Sequence, residues 1–408
     1  MKTNRREFMG AMGLASLSLA FTNHVPETPL DEWEAVRAAF PLQHSRAYFN
    51  NGTFGPSPAI VLQTINEKLA ASNTTGEYGH TDEYRKKLAE FIGVKTNELS
   101  LTHNTTEGIN IACRGLALKA GDEVIISLHE HVGNALPWLN RAKQDGLKLV
   151  TFEPQNTAEA NFDVIKSFIS AKTRVIAIPH ITCTTGLVFP VKEIAAMAKK
   201  KGIITAIDGA HAPGTFDLDL KDIGVDFYAS SCHKWMLGPN GTGFLYISEE
   251  HLPSHKPIFV GAYSDESWTL TPPELKAYNP TAHRFDYGSQ SMPMYAGAAA
   301  AADFHTGLGK KKIEARIMEL STYFYEGMAE MKSTYDILTP AELSSRAGMT
   351  TIKHKTKEYR ALANAVSKDG FRIRVVPEAG LEAIRISTHI YNSFEEIDGL
   401  LKSLERNG

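Results

Sequence analysis

The chain has 408 residues, 43% of them hydrophobic and 22% charged, with a formal net charge of −3. That length suits a large domain joined to a smaller one, and the balance is that of an ordinary globular protein with no basic stripe for nucleic acid. Three cysteines (Cys113, Cys183, Cys232) exclude a disulfide framework, no Cys/His spacing of the metal-binding type occurs, and nothing beyond the first two dozen residues approaches the ~18 apolar residues of a membrane span.

At the N-terminus, Asn4-Arg5-Arg6-Glu7-Phe8-Met9 leads into a mildly apolar run, Met9 to Phe21, rich in Gly, Ala and Ser. Paired arginines before such a run predict a twin-arginine export signal over residues 1–24, and Ser18-Leu19-Ala20 offers the small residues a signal peptidase favours. The expectation is a periplasmic protein with no stable membrane association once the signal is removed; a cytoplasmic chain with an ordinary N-terminus is the alternative. An N-terminal segment follows over 25–60, then a large domain over 61–305 and a small C-terminal α+β domain over 306–408.

Within the large domain, Asp122 to Leu128, Lys148 to Glu153, Arg174 to Pro179, Ile203 to Asp208, Asp226 to Ser230 and Gly243 to Ile247 read as strands. Helix-length segments separate several of them: Asn134 to Asp145, Ala158 to Ala171 and Val191 to Lys201. This alternation predicts a mainly parallel sheet with helices on both faces. Residues 248–292, rich in Pro, Ser and Tyr, are expected to form a long excursion. Tyr295 to Tyr335 reads as helix, broken near Gly307-Leu308-Gly309, and 338–408 mixes strands and helices.

Lys234 carries the most information. It follows the strand Asp226 to Ser230 and precedes a glycine-rich turn, so an amine stands at the carboxyl end of a buried strand, where open α/β sheets put their ligands. The strand ending at Asp208 runs into Gly209-Ala210-His211. An amine and a carboxylate at neighbouring strand ends suit pyridoxal phosphate (PLP). The lysine forms the Schiff base, and the aspartate keeps the pyridinium protonated so that the ring accepts electrons. A buried Asp208 is costly without a cationic partner, and the pyridinium is one.

Other residues fit around that pair. Thr105 and Thr106 open the apolar segment Ile109 to Leu118 and offer hydroxyls and free N–H groups to a phosphate, although the same residues serve as a plain N-cap. His131 follows a strand and is placed to stack on the cofactor ring. Thr182 is placed to reach the ring's phenolic oxygen, or simply to make a turn. His211 addresses the same edge or the substrate. Ser231 and His233 flank the lysine and are placed to bind phosphate.

Assembled in this order, the residues resemble a class V aminotransferase of fold-type I, and within it the isopenicillin N epimerase-like group, from about Tyr48 to the C-terminus. The resemblance implies a large domain with a mainly parallel seven-stranded sheet and a homodimer with active sites between subunits. Tyr48-Phe49-Asn50-Asn51-Gly52-Thr53-Phe54-Gly55-Pro56 is similar to the family's substrate-side motif, which gives Asn51 a part in binding the substrate carboxylate. Gly288-Ser289 resembles the Gly-Thr pair that reaches the partner's PLP phosphate, with serine in place of threonine. Ile384-Arg385-Ile386-Ser387 resembles the motif whose arginine clamps the α-carboxylate, a task suited to a planar guanidinium; on spacing alone Arg385 would be a surface or ion-paired arginine.

In such chemistry the ring stabilises a carbanion at Cα, and the freed Lys234 is the natural general base. The fate of that carbanion separates transamination, epimerisation and elimination, and the residues leave these open. Cysteine desulfurases of the same class need a nucleophilic cysteine in the C-terminal third. No cysteine follows Cys232, so a persulfide route is disfavoured, while β-elimination by a C–S or other lyase needs only the PLP. Export would leave little free 2-oxo acid, favouring an amino-acid or peptide-like substrate over ordinary transamination. Tyr263, Trp268, Tyr278 and Tyr287 would line a roomy site or pack in a dimer interface. A PLP-fold protein that binds without catalysing is the remaining class; the presence of both Lys234 and Asp208 stands against it.

Overall fold

A computed structural model describes residues 32–43 and 45–408. The expected export signal lies outside the described residues, as does the start of the 25–60 segment. Among the described residues no helix is long and apolar enough to cross a membrane.

Seven strands form the central sheet: β1 (Leu99–Thr102), β2 (Glu123–Ser127), β3 (Lys148–Phe152), β4 (Thr173–Pro179), β5 (Ile204–Asp208), β6 (Phe227–Ser231) and β7 (Gly243–Ile247). Their spatial order is β1-β7-β6-β5-β4-β2-β3. Pairing is parallel from β6 through β5, β4 and β2 to β3, while β7 runs antiparallel to both β6 and β1. Successive side chains along each strand enter opposite cores. Ile125, Ile176, Ile207 and Phe244 join one hydrophobic cluster; Val124, Val175, Ala206 and Leu245 join the other. Both faces are covered, so these strands read as continuous apolar runs without polar alternation. Six of the seven match the expected strands to within one or two residues. The seventh, β1, is a short edge strand absent from the expectation.

Helix α1 (Thr105–Gly115) follows β1, and α2 (Val132–Asp145) follows β2. The excursion expected over 248–292 contains a hairpin, β8 (Asp265–Leu270) and β9 (Pro273–Tyr278), whose strands pair only with each other. Its Trp268 and Leu270 are 61% and 72% exposed. The expected long helix is two, α3 (Met292–Leu308) and α4 (Lys310–Ala329), broken at Gly309, whose φ of +96° suits glycine.

A second, antiparallel sheet is built from β10 (Tyr335–Ile337), β11 (Met349–His354), β12 (Arg374–Val376) and β13 (Ala383–Ser387), in the order β10-β11-β13-β12. It packs with α4 and α5 (Phe394–Asn407) around a third cluster that includes Phe49, Leu320, Ile384 and Leu400. The N-terminal segment belongs to this unit. Ala47 and Tyr48 pair with Phe371 and Arg372, and Ser387 N donates to Phe49 O at 2.8 Å.

The excursion returns to the large domain through Asp286. Its Oδ1 accepts from Ser100 Oγ at 2.7 Å and from Leu101 N at 2.9 Å, and Arg85 Nη1 stands 2.7 Å from its Oδ2. One carboxylate thus occupies the free edge of β1, where an unpaired N–H would otherwise invite another strand. Asp286→Ala would leave the Arg85 guanidinium buried without its counter-charge, a change that costs about 3–5 kcal/mol in comparable pairs. The expected outcome is a marked fall in the urea midpoint and melting temperature; an unchanged midpoint would show that the pair contributes nothing to the fold.

Candidate active site

The carboxyl ends of five strands converge on one cavity of about 310 Å³. From β1 come Asn104, Thr105 and Thr106; from β2, His131 and Gly133; from β4, Cys183; from β5, Asp208, Ala210 and His211; from β6, Ser231, His233 and Lys234. Gly52, Thr53, Arg374 and Arg385 complete the wall from the second unit. The register explains the grouping. Asp208 lies opposite Pro179 on β4 and Ala229 on β6, so the turns after these strands open side by side.

Lys234 is in part exposed, but to the cavity. Burial of its amine lowers its pKa from the usual lysine value, and the Asp208 carboxylate partly restores it. Its Nζ lies 3.2 Å from His211 Nε2. Asp208 is almost fully buried, with Oδ1 accepting from Ala210 N at 2.9 Å. His211, deeper still, is held far below the ordinary histidine pKa, first by burial and then by the lysine's charge.

One end of the cavity is made for an anion. The start of α1 is capped by the Asn104 side chain, which accepts from Glu107 N at 3.0 Å. Ser231 Oγ meets Thr105 N at 2.8 Å and Thr105 Oγ1 at 2.7 Å. Nδ1 of His233 is buried and has no partner. Opposite, Gly133 leaves room that a side chain would fill: a Cβ there would stand 2.5 Å from Thr106 Oγ1. Hydroxyls, the start of a helix and an unpaired imidazole nitrogen in one recess fit a phosphate group. His131 caps α2 by accepting from Gly133 N at 3.0 Å on Nδ1, which leaves its flat ring on the cavity wall. Burial, followed by the lysine's charge, lowers its pKa.

At the other end stand two guanidinium groups. Arg385 is buried, donates from Nη1 to Cys183 O and from Nη2 to Thr53 Oγ1, and keeps an unpartnered Nε. Burial, with Arg374 beside it, pushes its pKa down to about 9. Arg374 pairs with Glu378 on its own loop. It is the antiparallel register partner of Arg385, which is why two cations share one wall.

Three expected residues stand off the cavity wall. Thr182 is fully buried, and its hydroxyl accepts from Leu187 N at 3.1 Å and pairs with Thr185 Oγ1 at 2.9 Å; the turn engages it, and its neighbour Cys183 faces the cavity instead. Asn51 is buried one residue from the wall, its Oδ1 accepting from Tyr391 Oη at 3.0 Å. Ser289 is exposed in a separate recess with Tyr78, His80 and Tyr263. The other nine expected residues line the cavity. Sequence reasoning missed Cys183 and Arg374. The first follows Thr182 directly in a loop already singled out; the second has no signal apart from its pairing with β13.

Comparison with known proteins places this geometry. The family model described as "Aminotransferase class-V" matches residues 61–400. Isopenicillin N epimerase from Streptomyces clavuligerus is 30% identical over 92% of this chain and 98% of its own length. Probable cysteine desulfurase 2 from Mycobacterium leprae is 30% identical over 93% and 97%. Among solved structures, a C-DES mutant with glycine covalently linked to its PLP cofactor superposes with a TM-score of 0.83 at 26% identity, covering 92% of this chain and 99% of that one. Another, the cystine C–S lyase C-DES in complex with its reaction product cysteine persulfide, gives 0.82 at 26%, covering 90% and 98%.

The electrostatics of the lysine can be tested on the protein without any ligand. Asp208→Asn removes the nearest negative charge favouring the ammonium, so the Lys234 pKa should fall further. The rate at which an amine-reactive reagent modifies Lys234, followed by mass spectrometry, should then rise at lower pH than in the wild type. A profile that stays in place or moves to higher pH would contradict the assigned coupling.

Proposed function

Because the chain belongs to the aminotransferase class-V family, we propose that it is a PLP-dependent enzyme that breaks a bond at the Cα of an anionic amino acid or peptide-like amine, as in the isopenicillin N epimerase-like group. One observation carries this: Lys234 and Asp208, on adjacent strand ends, share a single cavity with a phosphate recess at one end and two arginines at the other. Bound there, PLP supplies an electron sink for charge that develops at Cα.

The protein's own groups have distinct tasks. Thr105, Thr106, Ser231 and His233 would hold the phosphate, with the partner subunit's Ser289 reaching in from outside. Asp208 would hold the pyridine nitrogen, His131 the ring face, and His211 the phenolic oxygen, with Thr182 shaping the turn behind it. Burial lowers the Lys234 pKa from the ordinary lysine value, which favours its service as the general base at Cα. Arg385, with Asn51 behind it, binds the substrate carboxylate, and Arg374 favours a second anionic group on the same molecule. Burial lowers the pKa of Arg385, and an incoming carboxylate would raise it again.

A second copy of this chain is the partner we propose. Ser289 stands away from the cavity of its own protomer, and the hairpin β8–β9 leaves Trp268 and Leu270 largely exposed. Export through the twin-arginine route remains our proposal for location, resting on Arg5-Arg6 and the run behind them.

An eliminating C–S lyase is the second reading, favoured by the likeness to C-DES. A persulfide carried on the protein is not favoured. All three cysteines are buried, and burial pushes Cys183, the one on the cavity wall, up to about 11. A thiol so held is a poor nucleophile at neutral pH. A ligand-binding protein without turnover is the third.

An absorbance spectrum with added PLP, followed by titration with single amino acids and small peptides, tests the proposal. A visible band that shifts with particular amines is expected; a protein that stays colourless with PLP would overturn it. Lys234→Ala should lose both the visible band and turnover. Arg385→Lys, which loses bidentate contact with a carboxylate, should raise KM about ten- to a hundredfold, the range expected for lost hydrogen bonds between charged groups. An unchanged KM would remove Arg385 from carboxylate binding.

A further inference from the structure

Trp235, directly after Lys234, is fully buried and donates its indole N–H to His211 Nδ1 at 3.0 Å. An indole nitrogen can only donate, so Nδ1 accepts and the proton of a neutral His211 is on Nε2, the nitrogen 3.2 Å from Lys234 Nζ. We propose that Trp235 is a positioning residue that locks His211 in the Nε2–H tautomer, so that the ring presents a donor and never an acceptor to Lys234. The amine must then be the acceptor, which requires its lone pair to be free. The opposite tautomer would accept from an ammonium and favour charged lysine. One N–H on a neighbouring residue thus sets the resting protonation state of the amine. The consequence for turnover rests on the function proposed above; the lock itself does not.

The indole is itself held. Its backbone carbonyl accepts from His389 Nε2 at 3.1 Å, while His389 Nδ1 accepts from Ile390 N at 2.8 Å, so this second imidazole has the same tautomer. The rings of Trp235 and His389 lie 5.7 Å apart. On the far side, a Cβ on Gly348 would stand 2.8 Å from Trp235 Cζ3, so the wall against the indole is already in contact. Burial above all opposes a second proton on the ring, and the charges of Arg385 and Arg374, with those of Lys234 and His131 when they are protonated, add to it; Asp208 lines the same cavity. His211 is therefore neutral, and only the choice of tautomer is left for Trp235 to make.

The test uses the full chain without cofactor, labelled with 15N-histidine. Long-range proton–nitrogen correlation reads the tautomer directly, with His211 assigned by the signal missing from His211→Gln. The wild type should show an unprotonated Nδ1 and a protonated Nε2; a protonated Nδ1 would overturn the proposal without any variant. Replacing Trp235 with benzothienylalanine, which keeps the bicyclic shape and puts sulfur in place of the N–H, should release the Nδ1–H tautomer. It should also move the pH profile of Lys234 modification to higher pH. Unchanged tautomer and unchanged profile in that variant would equally overturn the proposal. A protein that never binds PLP would remove the function proposed above and leave this result standing.

Discussion

An amine at the floor of a cavity, with protein rather than water around it, has its ammonium form disfavoured unless a counter-charge intervenes. This constraint organises the site. Asp208 lies near enough to favour the ammonium but not to neutralise it, and His211 meets the amine with a donor. Burial also lowers the pKa values of the groups surrounding them, His131 and His233. Two arginines stand together at one end of the cavity. The cavity therefore divides into a hydroxyl-rich anion recess, a middle that holds Lys234, Asp208 and His211, and a cationic wall. A ligand with phosphate at one end and carboxylate at the other satisfies both poles at once.

The sheet is what holds those poles at fixed separation. Five loops come from the same edge of one β-layer, and neighbouring strands are tied residue by residue through their register. The anion recess comes from the ends of β1, β2 and β6, while the arginines belong to the other unit. The cavity is thus a seam between a rigid layer and a second body.

The large-domain strands were legible because a sheet covered on both faces needs apolar side chains on both sides of every strand, and Val124 to Ile126 or Val175 to Ile178 leave little alternative. The residues after them were legible because the chemistry is local: a lysine, an aspartate or a threonine directly at a strand end. Edge strand β1 escaped because Leu99-Ser100-Leu101-Thr102 is short and polar at every second position, and its partner Asp286 is far away in sequence. The hairpin escaped because its two prolines and exposed polar residues read as loop. Arg374 was invisible because its place is fixed only by antiparallel pairing with β13. Thr182 and Cys183 show the finest limit, since adjacent residues in a turn point different ways and only the fold says which one faces the cavity.

The N-terminal segment closes the seam from outside. Ala47 N donates to Gly370 O at 2.9 Å, Phe49 N to Arg372 O at 2.8 Å, and Gly55 N to His233 O at 2.7 Å. A few residues near the start of the chain are thus stitched both to strands near its end and to the loop that bears Lys234. Contacts of such long sequence separation form late, because most of the chain must be ordered before they repay their closure entropy. During synthesis Lys234 emerges from the ribosome well before Arg385, so the amine exists first in a cavity with one wall missing. Gly52 and Thr53 share that wall with Arg374 and Arg385 from the last strands, so both ends of the chain are needed to complete the ligand's surroundings.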